Sequence, residues 1–204
     1  MNDATGATHV CIVRHGESEW NVEKRIQGQM DPPLSDLGER QAQAVARRLS
    51  QERWDAIYSS DLARARLTAE AIAQQVGLQI AVRTGLRERA FGRLEGILHI
   101  DARAKYPDWD APELGRETEE ALSERARSAF EEIVSTHPGQ RVLVVTHGGL
   151  IRQFLGSIDL DGMAEPVTEV RNTSVTRLEW GSPCRLLICN DIDHLLAENL
   201  LRLA

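Results

Sequence analysis

His9-Val10-Cys11-Ile12-Val13-Arg14-His15-Gly16-Glu17 is the stretch that decides the fold of this chain. The run before Arg14 is short, rich in β-branched residues and free of formal charge, which predicts a buried strand. Gly16 lets the backbone turn after that strand and lets a ligand come close to the main chain. Because open α/β proteins bind ligands at the carboxyl ends of their strands, we expect a site around Arg14 and His15.

Length and composition fit one globular domain over residues 1–204. The formal net charge of −7 argues against nucleic acid or an anionic membrane surface as the partner. No run is long enough to cross a bilayer, and residues 1–6 lack a secretory pattern. The three cysteines form no C-x-x-C pair and read as small buried hydrophobic residues, which favours the cytoplasm.

Strand and helix patterns alternate along the chain. Predicted strands cover 9–13, 54–59, 78–82, 141–146, 174–180 and 184–189. Predicted helices cover 35–51 (capped by Ser35-Asp36), 60–75 (capped by Ser60-Asp61), 97–109 (broken), 118–137 and 148–158, and residues 17–36 are predicted to be a loop. The last two strands predict an antiparallel hairpin on an otherwise parallel sheet. We therefore expect a three-layer α/β/α sandwich with a mixed, mainly parallel central sheet.

Five chemistry-bearing side chains follow predicted strand ends. They are Arg14 and His15 after the first strand, Arg64 in the helix after the second, Glu88 in the loop after the third, and His147 after the strand at 141–146. Parallel strands bring their carboxyl ends to one edge of a sheet, so we expect all five groups to face one crevice. Each group alone is ordinary, but their coincidence at strand ends indicates a site.

Two histidines, two arginines and one acid fit phosphoryl transfer through a covalent histidine. One histidine is the nucleophile, the arginines bind phosphate oxygens, the acid moves a proton, and the second histidine stabilises the transition state. We expect no metal cofactor, because the cationic side chains take its place and the chain lacks P-loop and D-x-D patterns. The remaining histidines, His9, His99, His137 and His194, are predicted to be structural.

The chain resembles the histidine phosphatase superfamily, the phosphoglycerate mutase-like proteins. The resemblance lies in Arg14-His15-Gly16-Glu17-Ser18 with Trp20-Asn21, in matches within 27–42, 59–69, 86–96 and 146–149, and in features at 172–174 and 194–195. It implies that His15 is phosphorylated, that Glu88 donates the proton, and that Arg14, Arg64 and His147 form the phosphate pocket. It further implies that the site for phosphate or substrate is lined by Ser18, Asn21, Gln27, Gly28 and the backbone N–H of Gly148.

The segment after Glu88 bears on the choice between a phosphatase and a mutase. We expect residues 92–116 to form a small cap or rim, and its stretch 97–115 holds Arg103 and Lys105 among four acidic residues. A compact acidic rim binds a second phosphate poorly, which favours a phosphatase acting on a small phosphorylated metabolite. The alternatives are a phosphoglycerate mutase that uses 2,3-bisphosphoglycerate as a cofactor, and a non-catalytic module that binds a phosphorylated ligand. Relatives occur as monomers and dimers, so either state is compatible with the sequence.

Overall fold

A seven-stranded mixed sheet forms the centre of the computed structural model, which describes residues 6–161 and 167–201. The strands are β1 (Thr8–Arg14), β2 (Ala56–Ser59), β3 (Ile80–Val82), β4 (Arg141–Thr146), β5 (Leu160–Asp161), β6 (Val175–Trp180) and β7 (Cys184–Asp191). They lie in the order β3-β2-β4-β1-β6-β7-β5. Within the described strands, β6 alone runs against its neighbours, β1 and β7. The predicted mixed sheet and its closing hairpin are confirmed.

Helices cover both faces of this sheet. They are α1 (Glu19–Val22), α2 (Asp36–Leu49), α3 (Ala63–Val76), α4 (His99–Lys105), α5 (Glu119–Ser135), α6 (Gly148–Ser157) and α7 (Asp193–Ala197). Side chains alternate along β1, so that Val10 and Ile12 pack in the core beneath α5 and α6. Cys11 and Val13 pack in the opposite core, beneath α2 and α3. The predicted three-layer α/β/α arrangement is therefore confirmed.

Two local predictions were wrong, and one short strand was missed. Residues 17–36 are not all loop, because Ser18 and Asn21 form a reciprocal capping box that starts α1. Helix α3 is not capped by Ser60-Asp61, since its first turn starts after Leu62, which makes no side-chain cap, and the Ser60 hydroxyl accepts from the Leu62 N–H at 3.3 Å. Strand β5 was missed because two residues carry no periodic pattern.

The segment at 92–116 packs on a small apolar cluster of its own. That cluster is built from Ile26, Leu94, Ala102 and Leu114. The predicted broken helix shortens to α4, flanked by 3₁₀ turns at Gly92–Leu94 and Pro112–Leu114. The first of these turns begins at Gly92, four residues after Glu88, and the Glu95 side chain accepts from the Phe91 N–H of the same loop at 2.9 Å.

The cysteines behave as small hydrophobic residues. Cys11 and Cys184 are buried, Cys189 is half-buried, and all three are free thiols. Burial raises the pKa of Cys11 to about 12. Across residues 6–161 and 167–201, no helix has the length and apolar character needed to span a membrane. Residues 1–5, where a secretory pattern was sought, lie outside the described residues.

Candidate active site

The carboxyl ends of β1, β2 and β4 meet at one edge of the sheet. Arg14 at the end of β1 lies beside Thr146 at the end of β4, and Ser59 of β2 lies beside Val145. A cleft of about 340 Å³ opens there. Six of the predicted site residues line it: Arg14, Asn21, Gln27, Gly28, Glu88 and Gly148. The other four are buried: His15, Ser18, Arg64 and His147. His15 and His147 are chain neighbours of the lining residues Arg14 and Gly148, and Ser18 and Arg64 hydrogen-bond to Gln27 and Gly28.

The ring of His15 is oriented by its own loop. Its Nδ1 lies 2.6 Å from the carbonyl oxygen of Gly16, so Nδ1 carries the proton and donates it there. Nε2 is then left with a free electron pair. Burial, followed by the charges of Arg64 and Arg14, lowers the pKa of His15 well below its usual range. The ring is therefore neutral at pH 7, in the form that can attack an electrophile.

Two guanidinium groups are tied to backbone carbonyls beside this ring. Arg14 donates from Nη1 to the carbonyl of Val170 at 2.5 Å. Arg64 donates from its two Nη atoms to the carbonyls of Met30 and Gly28, each at 2.8 Å. Both Nε atoms are buried and have no hydrogen-bond partner among the described residues. Buried donors of this kind normally have a partner, so the Nε–H of each arginine is a donor that a ligand could use.

His147 lies against His15, with ring centroids 5.1 Å apart. It is fully buried, and neither of its ring nitrogens has a hydrogen-bond partner in the described part of the chain. Burial first, then the charges of Arg64, His15 and Arg14, lowers its pKa well below the usual range. The next residue, Gly148, leaves room for Arg14, since a Cβ there would lie 3.2 Å from the Arg14 Nε. Arg14, Arg64 and His147 thus carry four unpartnered polar atoms in the neighbourhood of His15.

Glu88 lies on the amino terminus of α6. Its carboxylate accepts from the backbone N–H groups of Gly149 and Leu150, both at 3.0 Å, and of Arg89 at 2.8 Å. An anion is favoured at a helix amino terminus, where free N–H groups and the helix dipole point at it. These three bonds fix the carboxylate at the wall of the cleft.

Arg125 on α5 supports the loop that carries Glu88. Its guanidinium donates to the carbonyls of Gly85 and Arg87 at 2.9 Å and of Glu88 at 3.3 Å. Arg125 also donates from Nε and Nη2 to the two carboxylate oxygens of Glu117, each at 2.8 Å. One side chain therefore satisfies three loop carbonyls and connects the loop to a long helix.

The loop after β1 is organised by amide side chains. Ser18 donates to Gln27 Oε1 at 2.8 Å and caps the turn that contains Asn21. Asn172 donates from Nδ2 to the carbonyl of His15 at 3.1 Å and to Asn21 Oδ1 at 3.4 Å. Ser18, Asn21 and Gln27 thus lie in one network with the backbone of His15.

Sequence reasoning missed several residues of the cleft. His99, predicted to be structural, stacks on Trp109 with ring centroids 6.1 Å apart and also lines the cleft, so its structural role stays a prediction. Arg25, Arg152 and the segment 168–170 also line it. No local motif marks these positions. Arg152 lies in the second turn of α6, the helix that follows His147, where an arginine carries no distinguishing sequence signal.

A larger groove of about 650 Å³ lies elsewhere on the described surface, between α2, α3 and residues 198–200. It contains none of the predicted site residues. In residues 6–161 and 167–201, no group of three His, Cys, Asp or Glu side chains is arranged to hold a metal ion. The chemistry-bearing side chains converge instead on the smaller cleft at the strand ends.

The chain belongs to the histidine phosphatase superfamily (branch 1), whose family model matches residues 10–190. It is 38% identical over 201 residues to a phosphoglycerate mutase-like protein of Arabidopsis thaliana, covering 91% of this chain and 86% of that protein. It is 40% identical over 158 residues to a metal-independent phosphoserine phosphatase of the same plant, covering 71% and 66%.

A solved structure shares the architecture. The mycobacterial glucosyl-3-phosphoglycerate phosphatase, in complex with VO3, superimposes with a TM-score of 0.79 at 29% identity. The match covers 90% of this chain and 99% of that one. Names of phosphatases and of a mutase-like protein thus occur among the relatives, and the resemblance stated from the sequence is confirmed at the level of the superfamily.

Proposed function

We propose that this chain is a phosphatase that hydrolyses phosphomonoesters of small metabolites through a phosphohistidine at His15. The observation that carries the proposal is the hydrogen bond from His15 Nδ1 to Gly16, which leaves Nε2 as a nucleophile. The depressed pKa of His15 keeps that atom unprotonated at neutral pH. The family supports this assignment, since its named relatives include a phosphatase that is metal-independent.

In the first step, His15 Nε2 attacks phosphorus and the bond from phosphorus to the ester oxygen breaks. Glu88 enters this step as the carboxylic acid, gives that leaving oxygen its proton, and becomes the carboxylate that the three backbone N–H groups hold. Arg14, Arg64 and His147 donate to the phosphoryl oxygens, where charge accumulates. In the second step, water attacks the phosphohistidine, Glu88 takes the proton of the water, and the bond from phosphorus to Nε2 breaks. Phosphate leaves and both side chains return to their starting forms.

Replacement of the nucleophile tests this function. We expect His15→Ala to abolish hydrolysis of p-nitrophenyl phosphate, because the variant lacks the Nε2 atom that forms the covalent intermediate. Circular dichroism and thermal unfolding serve as the fold control. Rapid acid-free quenching of wild type with ³²P-labelled substrate should trap an acid-labile phosphohistidine that His15→Ala lacks. Turnover at the wild-type rate in the variant would refute the mechanism.

The cap supports a phosphatase over the mutase alternative. We propose that residues 92–116 form the rim of the substrate cleft in a single domain. Within its stretch 97–115, the two cations lie over aromatic rings, Arg103 over Trp109 and Lys105 over Tyr106. They are thus less available to a second phosphate. Incubation with 3-phosphoglycerate and 2,3-bisphosphoglycerate should release phosphate. Fast formation of 2-phosphoglycerate without phosphate release would favour the mutase.

A further inference from the structure

His194 is a buried histidine that the mechanism at phosphorus does not use. It lies in α7, and both of its ring nitrogens have a partner. Nδ1 lies 3.2 Å from Arg48 Nη1, and Nε2 lies 3.2 Å from the hydroxyl oxygen of Thr173. Because a guanidinium can only donate, Nδ1 accepts the bond from Arg48 and Nε2 carries the proton. The ring therefore donates from Nε2 to Thr173 Oγ1.

Arg48 fixes this tautomer of His194. It extends from α2 and pairs with both carboxylate oxygens of Asp191, with Nη1 at 3.0 Å from Oδ1. Burial, followed by the charge of Arg48, lowers the pKa of His194 to about 4, although Asp191 acts in the opposite direction. The ring is thus neutral at pH 7, and its single N–H lies on the side of Thr173.

Thr173 is held in a conformation that is unusual for its residue type. Its φ is 51°, and among the described non-glycine residues with a positive φ it is the only β-branched one. A β-branched residue is strained in this left-handed region and stays there only while its surroundings hold it. The residue is fully buried, so the bond that its hydroxyl accepts from His194 is shielded from water.

The backbone of Thr173 contacts the nucleophile's backbone. Its N–H donates to the carbonyl of His15 at 3.2 Å, and Asn172 Nδ2 donates to the same oxygen at 3.1 Å. That carbonyl belongs to the peptide that joins His15 to Gly16. Gly16 in turn accepts the proton of His15 Nδ1 on its own carbonyl at 2.6 Å. A shift of Thr173 is therefore passed to the group that orients the reactive ring.

We propose that His194 is a positioning residue for the phosphorylation of His15 and acts through Thr173. This inference rests on the proposed phosphatase function and adds to it a side chain that does not line the cleft. The N–H of the His194 ring keeps Thr173 in its left-handed conformation, and the N–H of Thr173 keeps the carbonyl of His15 in place. Without the first bond, the strained residue relaxes and the nucleophilic ring moves with its backbone.

Replacement of His194 tests this role. With enzyme in excess over p-nitrophenyl phosphate, the release of p-nitrophenolate measures the attack by His15 alone. We expect His194→Leu to slow this step about tenfold, since a misplacement of about 1 Å can cost about 10²-fold. The half-saturation concentration should change less than about twofold, because the phosphate-binding groups are unaltered. His194→Gln should restore most of the rate, because its amide N–H can replace the Nε2–H.

Thr173 offers a second pair of variants, which decides the question even if His194→Leu does not fold. Thr173→Val keeps the β-branch and removes the hydroxyl, so it should slow the same step about tenfold, whereas Thr173→Ser should keep most of the rate. The double variant His194→Leu/Thr173→Val should be no slower than either single variant, since both remove the same bond. Losses that multiply to about a hundredfold would show independent effects and overturn the inference.

His137→Leu is the control. This histidine also has partners on both ring nitrogens, with Tyr58 Oη 2.9 Å from Nε2 and Gln140 at Nδ1. It precedes β4, at the end of the sheet opposite the cleft, so its loss should lower stability and leave the first-turnover rate unchanged.

Two results would overturn the role of His194. One is a wild-type rate in folded Thr173→Val or His194→Leu. The other is an equal loss of rate in His194→Leu and His137→Leu, which would assign the effect to general stability. A wild-type protein that does not hydrolyse p-nitrophenyl phosphate would instead refute the proposed function, and the inference with it.

Discussion

Gly149 is a residue whose missing side chain matters to the site. A Cβ at this position would lie 2.4 Å from Glu88 Oε1 and 3.2 Å from Oε2. We expect Gly149→Ala to displace the carboxylate and to lower kcat for p-nitrophenyl phosphate by about 10²-fold, within the range of a mispositioned proton donor. Steady-state kinetics check this, with poor leaving groups such as glycerol 3-phosphate affected most.

Gly156 on the same helix provides the matched control. It is exposed, and a Cβ there meets nothing within 4 Å. Because alanine suits a helix better than glycine, Gly156→Ala should keep full activity and raise the free energy of unfolding by up to about 1 kcal/mol. Equal losses of activity in both variants would mean that the helix, and not the contact with Glu88, determines the effect.

The sequence predicted which side chains meet at the strand ends better than it predicted their surroundings. His15 and His147 were found because each follows a strong apolar strand pattern, and the structure places their rings 5.1 Å apart. Arg152 could not be singled out, since a helical arginine in the cleft and one in solvent have the same local sequence signal. The position of His99 at the cleft could not be predicted, because it depends on packing against Trp109, ten residues further on.

Helix α5 affects the site through a single side chain, Arg125. Replacement by Met removes three hydrogen bonds to loop carbonyls and leaves Glu117 without its cation. We expect Arg125→Met to lower the free energy of unfolding by about 1–3 kcal/mol, the usual result of removing a charged partner from half-buried groups. Because the Glu88 loop loses its support, kcat should fall as well. Urea unfolding and kinetics measure the two effects.

Glu132 on the same helix offers a comparison. Its pair with Arg83 at 3.2 Å is exposed, so Glu132→Gln should change stability by less than about 1 kcal/mol and leave kcat unchanged. If Arg125→Met lost stability while kcat stayed at the wild-type value, Arg125 would be a purely structural residue.

Elements were predictable where their signal is local and long. The apolar stripe of α2 and the left-handed Gly77 that ends α3 both follow from the sequence. Helix α1 was missed because four residues give no periodicity, and it forms through the capping box of Ser18 and Asn21. The start of α3 was misplaced because the Ser60 hydroxyl accepts from the Leu62 N–H, although Leu62 and not Ser60 is the cap residue.

At the scale of the whole molecule, three histidines in residues 6–161 and 167–201 are buried, and their protonation opposes folding. Burial lowers the pKa of His194 to about 4 and those of His15 and His147 well below 6.5. In the unfolded chain these rings bind protons below about pH 6.5. Below about pH 6.5 the unfolded state therefore binds more protons than the folded state. The free energy of unfolding should be at its full value above pH 6.5 and should fall as the pH drops toward 4.

Urea unfolding at pH 7, 6 and 5 measures this dependence. Each of these histidines contributes a slope of at most about 1.4 kcal/mol per pH unit. His194→Gln should flatten the curve between pH 6.5 and 5, whatever its effect on stability at pH 7. A wild-type stability that is constant from pH 7 to 5 would contradict the expectation.

The position of β1 within the sheet has a consequence for synthesis. β1 is the first strand made, yet its neighbours are β4, which ends at Thr146, and β6, which starts at Val175. A nascent chain must therefore keep its first strand unpaired while more than a hundred further residues leave the ribosome, and such distant pairings form slowly. The cleft at the strand ends cannot form in an incomplete chain that lacks β4. Ribosome-bound chains that stop before β4 should be inactive and should depend on chaperones to protect the exposed strand.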